Sequence, residues 1–553
     1  MFLERVEIVG FRGINRLSLQ LEDNTVLLGE NAWGKSSLLD AMTLLLAPHQ
    51  PFYQFEAKDF HWPLAESTVN ERHLQVIFTF CEKEIGQMHC ARYRPLLVTG
   101  VKGDDRHYRI YYSCQGELAE DGSILTLRRF LDANGDVLPL QDVDQQVQSL
   151  LRLHPVLRLR DARFIRRLRA NTHGETPLTN EHRLQQQLDK LRDDLAHNQQ
   201  RLTPFEAKQF LPAMQQLLQH YFAEQGAQEV DRRADRQYSE QWVWRLLDNI
   251  NRLIAEPKNR AIRLTLISIF SNLLQANSNL KLAADARPLL LIENPETRLH
   301  PIMLSVAWNL LEQMPVQRIT TTNSSTLVSL VPVEQICRLV RESNSVVAYR
   351  LGAQGLSIEE GRRIAFHIRF NRPSSLFARC WLLVEGETEV WLLNELARQC
   401  GYHFDAEGVR VIEFAQCGLR PLLKFARRMG IEWHVLVDGD EAGKKYANIV
   451  RSLLNNYQQK ERDRLTELPA ADIENFMYRE GYSSVYYRVA GLPSTIHMPM
   501  RNVIRKAVQR SSKPDLAIEV AMQAASWGTD AVPTLLKKMF SRIIWLARGQ
   551  ADE

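Results

Sequence analysis

Cysteine is scarce and unpatterned in this chain. Seven occur in 553 residues and none stands in C-x-x-C spacing, which argues against a zinc site and against a disulfide framework; a reducing cytoplasm fits. Long apolar runs are missing too. No stretch reaches the roughly 20 residues that a membrane-spanning helix needs, so no membrane association is expected. The opening MFLERVEIVGFRGI carries acids inside its short apolar stretch, unlike a secretion signal. Net charge is small, +4 at pH 7, which permits nucleic-acid contact without indicating it. At this length, an ordinary 45% hydrophobic content is enough to build more than one buried core.

What the chain does have is carboxylates where strands end. In Ile431–Lys444 (IEWHVLVDGDEAGK) an apolar, β-branched run stops at Asp438-Gly439-Asp440. This reads as a buried parallel strand presenting two aspartates, with Gly439 letting the backbone turn. Asp-Gly-Asp alone also suits a plain β-turn. Upstream, Cys380–Val384 (CWLLV) ends in Glu385-Gly386-Glu387-Thr388-Glu389 ahead of a helical pattern, and downstream Leu468–Met477 adds Asp472 and Glu474. Ligands in open α/β sheets bind beyond the carboxyl ends of strands. Oxygen donors crowded there suit Mg²⁺ or Mn²⁺, because so much like charge repels itself without a cation. Val409–Phe414 supplies an intervening strand, completing a β-α-β-α-β alternation.

The segments VEGETE and VDGD resemble the Toprim domain of topoisomerases, primases and OLD-family (overcoming lysogenization defect) nucleases. That resemblance implies Glu385, Glu389, Asp438, Asp440 and Glu474 as catalytic, metal-holding acids, with Asp472 as a further metal ligand. It also implies a later lysine that stabilises transition-state charge. Lys513 matches that position; Lys444 and Lys506 are rivals, and a plain surface role for Lys513 stays open. No tyrosine can be singled out as a topoisomerase nucleophile, which argues for hydrolysis over strand transfer.

At the other end, Thr25–Leu28 runs directly into Gly29-Glu-Asn31-Ala-Trp-Gly34-Lys35-Ser36. This is the phosphate-loop pattern G-x-x-x-x-G-K-[ST] between a strand and the helix Ser37–Leu46. Glycines let backbone N–H groups turn toward phosphate oxygens, Lys35 reaches the β- and γ-phosphates of ATP, and the Ser36 hydroxyl meets Mg²⁺. The loop and the preceding VGFRGI resemble ABC-type ATPase heads of the SMC and OLD group. In that group the arginine matching Arg12 lies near the phosphates; a surface cation in a turn is the plainer alternative.

Three departures from that group stand out. Arg287–Ile292 ends in Glu293-Asn294-Pro295-Glu296, resembling a Walker B segment in which Glu293 supports the metal. Asn294 then stands where a catalytic glutamate is expected, and a carboxamide orients water but cannot take its proton. Glu296 is displaced from a straight replacement. Arg318–Thr322 ends in Asn323, where relatives carry a histidine directed at the γ-phosphate. The Leu-Ser-Gly-Gly signature is absent before Ile262. A slow or regulatory ATPase is the expectation.

Between these landmarks, Leu74–Phe80, Tyr108–Tyr112 and Leu125–Leu131 read as antiparallel hairpins. Val156–Ala170 is the most basic stretch, with Arg158, Arg160, Arg163, Arg166, Arg167 and Arg169; DNA-backbone contact, a solvated face and service to the nucleotide all remain open. Residues 181–255 carry amphipathic helical spacing, fit for a dimer arm or for packing within one chain.

The expected fold is α/β. An ABC-type P-loop ATPase domain spans 1–372, with an inserted helical arm at about 178–256, and a Toprim (Rossmann-like) domain spans 373–553. This order resembles the OLD family, which implies an ATP-binding, metal-dependent DNA endonuclease or nickase, dimeric through head and arm, with roles in phage defence or DNA repair. Two alternatives remain: an SMC-like repair ATPase whose Toprim domain binds DNA without cutting, and a nucleotide-gated nuclease held off by ATP.

Overall fold

The computed structural model describes residues 1–48, 50–61, 73–159, 285–297, 299–313, 316–352, 355–454, 460–493 and 497–549, with a few single positions besides. The arginines beyond 159, nearly all of the helical arm, the apolar stretch Ile262–Ala276 and the place of the signature loop lie outside them. The chain forms two compact units, 1–331 with 335–348, and 332–334 with 349–553.

The first unit is built on a twelve-stranded sheet among the described residues. Its order is β5-β6-β4-β1-β2-β12-β11-β3-β10-β9-β8, with β7 paired to β6. The strands are β1 (Phe2–Phe11), β2 (Ile14–Gln20), β3 (Asn24–Leu28), β4 (His73–Cys81), β5 (Val101–Lys102), β6 (Tyr108–Leu118), β7 (Ile124–Leu131), β8 (Val156–Leu159), β9 (Leu289–Glu293), β10 (Gln317–Thr321), β11 (Ile336–Arg341) and β12 (Val346–Arg350). One wing, from β7 to β2, is antiparallel, so the hairpins read from sequence extend the sheet that β1 begins. The other wing, β11-β3-β10-β9-β8, is parallel. Its strands are mostly buried because both faces are covered; Leu289–Ile292 are all buried, and so are Arg318–Thr321 of β10. Helix α1 (Lys35–Leu45) follows β3 directly and buries Leu38, Leu39, Met42 and Leu45 at helical spacing. Gly34, at φ 90°, makes the sharp entry into α1.

The second unit holds a parallel four-stranded sheet ordered β14-β13-β15-β16, from β13 (Cys380–Val384), β14 (Val409–Glu413), β15 (Glu432–Val437) and β16 (Leu465–Glu467). Strand β14, intervening in sequence, is an edge strand in space. Helices α2 (Glu387–Gln399), α3 (Leu419–Arg428), α4 (Glu441–Leu454), α5 (Ile473–Met477) and α6 (Lys513–Trp527) complete the surroundings of the acid site. A core separate from that of the first unit joins β13 and α2 to the helices from 473 to 547. Residues 349–372, which the sequence pattern attaches to the ATPase domain, cluster with this second unit. Their helix Ile358–Ile364 opens on a reciprocal Ser357–Glu360 cap, and Glu360 also pairs with Lys424 of α3 at 2.7 Å.

Candidate functional site

In the first unit the phosphate loop lies beyond the carboxyl ends of β3, β9 and β10. Lys35, 4% exposed, donates to Asn323 Oδ1 at 3.1 Å and to the Gly29 carbonyl. Burial brings its ammonium down to about 8, while Glu296 and Glu30 pull the other way. Asn323 Nδ2 donates to Asn31 Oδ1 at 3.1 Å, tying the β10 end to the loop. Glu296 spends both carboxylate oxygens on the β10 end. One oxygen accepts from Asn323 N at 2.8 Å and the other from Thr322 Oγ1 at 2.9 Å, so it fixes the β10 end. Asn294 takes a left-handed conformation, φ 45°, with its N–H donated to Thr321 O at 2.9 Å. Ser36 is exposed in the first turn of α1, and Ser37 Oγ accepts from Gly13 N at 3.3 Å.

A half-buried ionic network underlies this loop. Arg158 donates to Glu293 Oε2 at 2.6 and 3.0 Å and to Asp40 Oδ1 at 2.6 Å. Asp40 also holds Arg12 at 2.5 Å, and Arg12 reaches Asp59 at 2.9 Å. With 8% of its side chain exposed, Arg158 is held between Glu293 and Asp40 and is closed to a DNA backbone. Arg12, at φ 47°, is held by two acids and stacked over Phe11, which replaces the simple surface cation. Asp40 and Asp59 have no signal in sequence, since their partners are distant along the chain.

In the second unit β13 and β15 are hydrogen-bonded neighbours, so Glu385 and Asp438 leave adjacent strand ends. Glu389 follows in the first turn of α2 and is 8% exposed. Burial pushes Asp438 up to about 8, and Glu389, Glu385, Asp472 and Asp440 add to the shift. Glu385 and Glu389 are raised for the same first reason. Asp440 Oδ1 accepts from Gly443 N at 2.7 Å, and Asp472 caps α5 by accepting from Asn475 N at 2.7 Å. Each keeps its second oxygen for another partner.

Of the lysines weighed from sequence, Lys513 is the one paired with an acid of this group. Its ammonium lies 3.0 Å from Glu474 Oε1, and burial, which pulls its pKa down, is outweighed by Glu474, Asp472 and Glu389. Lys444 instead pairs with Glu441 on the outer face of α4. Gly439 stands at a backbone bend without a left-handed φ, and what it supplies there is space. A Cβ there would meet the Leu468 and Ala470 carbonyls at 2.5 Å, where Gly439 N donates to Ala470 O.

The donor set is all oxygen, as hard cations prefer. Glu385 Oε2 is buried without a hydrogen-bond partner, the condition a cation would relieve. Among the described residues no three acidic, histidine or cysteine side chains stand in finished ligand geometry. The residues fit Mg²⁺ or Mn²⁺ by chemistry and burial, with side-chain adjustment.

Comparison with known proteins agrees at the level of family. Residues 1–375 match the family described as "Protein of unknown function (DUF2813)", and residues 376–440 match "Overcoming lysogenization defect protein-like, TOPRIM domain". The chain is 61% identical over 554 residues to "Uncharacterized protein YbjD" of Escherichia coli (strain K12), covering 100% of both. Among solved structures, the C-terminal region of the Xanthomonas campestris pv. campestris OLD protein aligns over 32% of this chain and 97% of its own, at 15% identity and TM-score 0.27. The SMC head domain from Thermotoga maritima aligns over 64% and 100%, at 11% identity and TM-score 0.31. Residues 1–375 place the chain in the DUF2813 family, and with its C-terminal Toprim domain it is an OLD-family protein.

Proposed function

We propose that the chain is an ATP-binding, divalent-metal-dependent DNA endonuclease or nickase with a slow or regulatory ATPase. The observation that supports this best is the carboxylate group of the second unit. Glu385, Glu389 and Asp438 leave two adjacent parallel strands and one helix start, and all three have raised proton affinity. Such acids hold a proton or a cation more tightly than exposed ones. Two Mg²⁺ or Mn²⁺ ions would supply an activated water and charge on the departing oxygen. Glu385, Glu389, Asp438, Asp440 and Glu474, with Asp472, are the residues to hold them. Lys513, resting on Glu474, brings positive charge to the rim where a DNA phosphate would sit.

In the head, the Gly29–Gly34 loop, Lys35 and Ser36 would receive the phosphates and Mg²⁺, with Glu293 behind the metal and Arg12, Asn31, Ser37 and Asn323 shaping the pocket. Asn294 can orient a water but cannot deprotonate it, which supports slow hydrolysis. The Lys35–Asn323–Asn31 chain supports a gating role, because a phosphate reaching Lys35 must alter the tie between loop and β10. The same family likeness suggests a homodimer through head and arm, in the cytoplasm, serving DNA repair or phage defence, with the functional boundary at 372/373.

The test is nicking of supercoiled plasmid across a matrix of Mg²⁺, Mn²⁺ and ATP. Asp438→Asn should reduce nicking at least 100-fold and leave ATP affinity within twofold. Cutting by that variant at the wild-type rate would end the catalytic assignment. A gel shift by wild type without any cutting would favour a Toprim domain that only binds DNA.

A further inference from the structure

The head contains a polar cavity that the nucleotide site does not use. It lies at the amino ends of β9 and β10, at Leu289 and Gln317, and the phosphate loop follows the opposite ends of the parallel strands. Strands of five residues put roughly 15 Å between the two. Its volume is about 170 Å³, well above the roughly 10–15 Å³ that one water needs and below the roughly 300 Å³ at which pockets for larger ligands begin.

Its polar lining comes from Met1, Lys83, Gln87, His154, Arg287 and Gln317, with no acidic residue among the lining residues. Lys83 meets Asp23 outside it, and Arg287 spends one donor on Ala286 O at 3.2 Å. His154, 4% exposed, is packed between Phe80 and Tyr93, with ring centroids 5.0 and 5.9 Å away. Its Nδ1 lies 3.3 Å from the Arg287 carbonyl, which can only accept, so Nδ1 carries the proton. Nε2 therefore presents a lone pair, and it is buried with no partner. An unmet buried acceptor is destabilising until a donor reaches it. Burial lowers the Met1 amine to about 5; Lys83, Arg92 and Arg287 push it the same way and Glu82 opposes them. Lys83, partly offset by Asp23, and Arg287 thus bring positive charge to the rim beside a buried group that needs a donor.

We infer that this cavity is a binding site for a small oxyanion that still carries a proton, of the hydrogen phosphate class. Its charged oxygens would face Lys83 and Arg287, and its hydroxyl would donate to His154 Nε2. Sulfate offers the same charge and shape but no proton at neutral pH, so the cavity should distinguish the two.

The experiment is calorimetric titration of the full-length Lys35→Ala protein, which removes phosphate binding at the nucleotide loop, with inorganic phosphate and separately with sulfate. One saturable phosphate site, at least tenfold tighter than sulfate, is expected. Lys83→Met with Arg287→Met, both at the exposed rim, should weaken phosphate at least tenfold. His154→Phe should bring the two anions within twofold of each other. No saturable heat with phosphate, equal affinity for sulfate, or binding that survives the double substitution would each overturn the assignment.

Discussion

At the level of single residues, roles follow from what each side chain already holds. Lys513 and Lys444 look alike in sequence, but only Lys513 rests on Glu474 within the acid group. We expect Lys513→Met to lower plasmid nicking at least tenfold, and Lys444→Met to leave it within twofold. Asn294 gives a test in the opposite direction. If the missing proton acceptor limits ATP hydrolysis, Asn294→Glu should raise the steady-state ATPase rate at least tenfold. The strained backbone there, φ 45°, should cost the variant about 1 kcal/mol or more of stability, which a melting curve would record. An unchanged hydrolysis rate in a folded variant would place the limit elsewhere.

At the level of elements, the acid site depends on close backbone contact between the end of β15 and the start of α4. A Cβ on Gly443 would sit 1.9 Å from the Asp438 carbonyl oxygen, so the two segments cannot both stay in place once a side chain is added. Gly443→Ala should abolish nicking and lower the melting temperature of the second unit. Strand β15 carries a second test in His434. Its Nδ1 donates to Asp463 O at 2.9 Å, and its Nε2 lies 2.8 Å from Thr466 Oγ1, a hydroxyl that can donate to the neutral ring. Burial is the main cause of a pKa near 4. The unfolded chain takes up the proton near 6.5, so between those values it binds more protons than the folded one. Stability is then full above about pH 6.5 and falls as pH drops toward 4, by on the order of 3 kcal/mol. His434→Gln, which does not titrate, should flatten that slope in melting curves taken from pH 7 to 4.

At the level of the whole molecule, two cores without shared residues predict two responses. Calorimetry should show ATP with Mg²⁺ raising one unfolding transition and Mn²⁺ alone raising the other. A ligand at 100 times its dissociation constant adds about 2.7 kcal/mol to whatever it binds. Lys35→Ala should remove the first shift and Asp438→Asn the second. A single transition that both ligands move equally would contradict separate sites.

Much of this architecture was legible in the residues themselves. Strong local signals do not need the rest of the chain: an apolar run ending in Gly29 to Ser36 makes a strand, loop and helix whatever surrounds it. The same holds for the runs that stop at Glu385, Glu293 and Asp438. The backbone changes direction where apolar periodicity ends, and acids at such points are readable as a pattern. Pairings across long stretches of chain were not readable. That Arg158 meets Glu293, that Glu296 holds Asn323, that Lys513 rests on Glu474, and that residues 349–372 pack with the second unit are consequences of strand order and burial. Charge and hydrogen-bonding capacity are properties of residues, so sequence determined which chemistry is available. Distance and desolvation belong to the folded chain, so only the tertiary structure decided which of those groups act on one another.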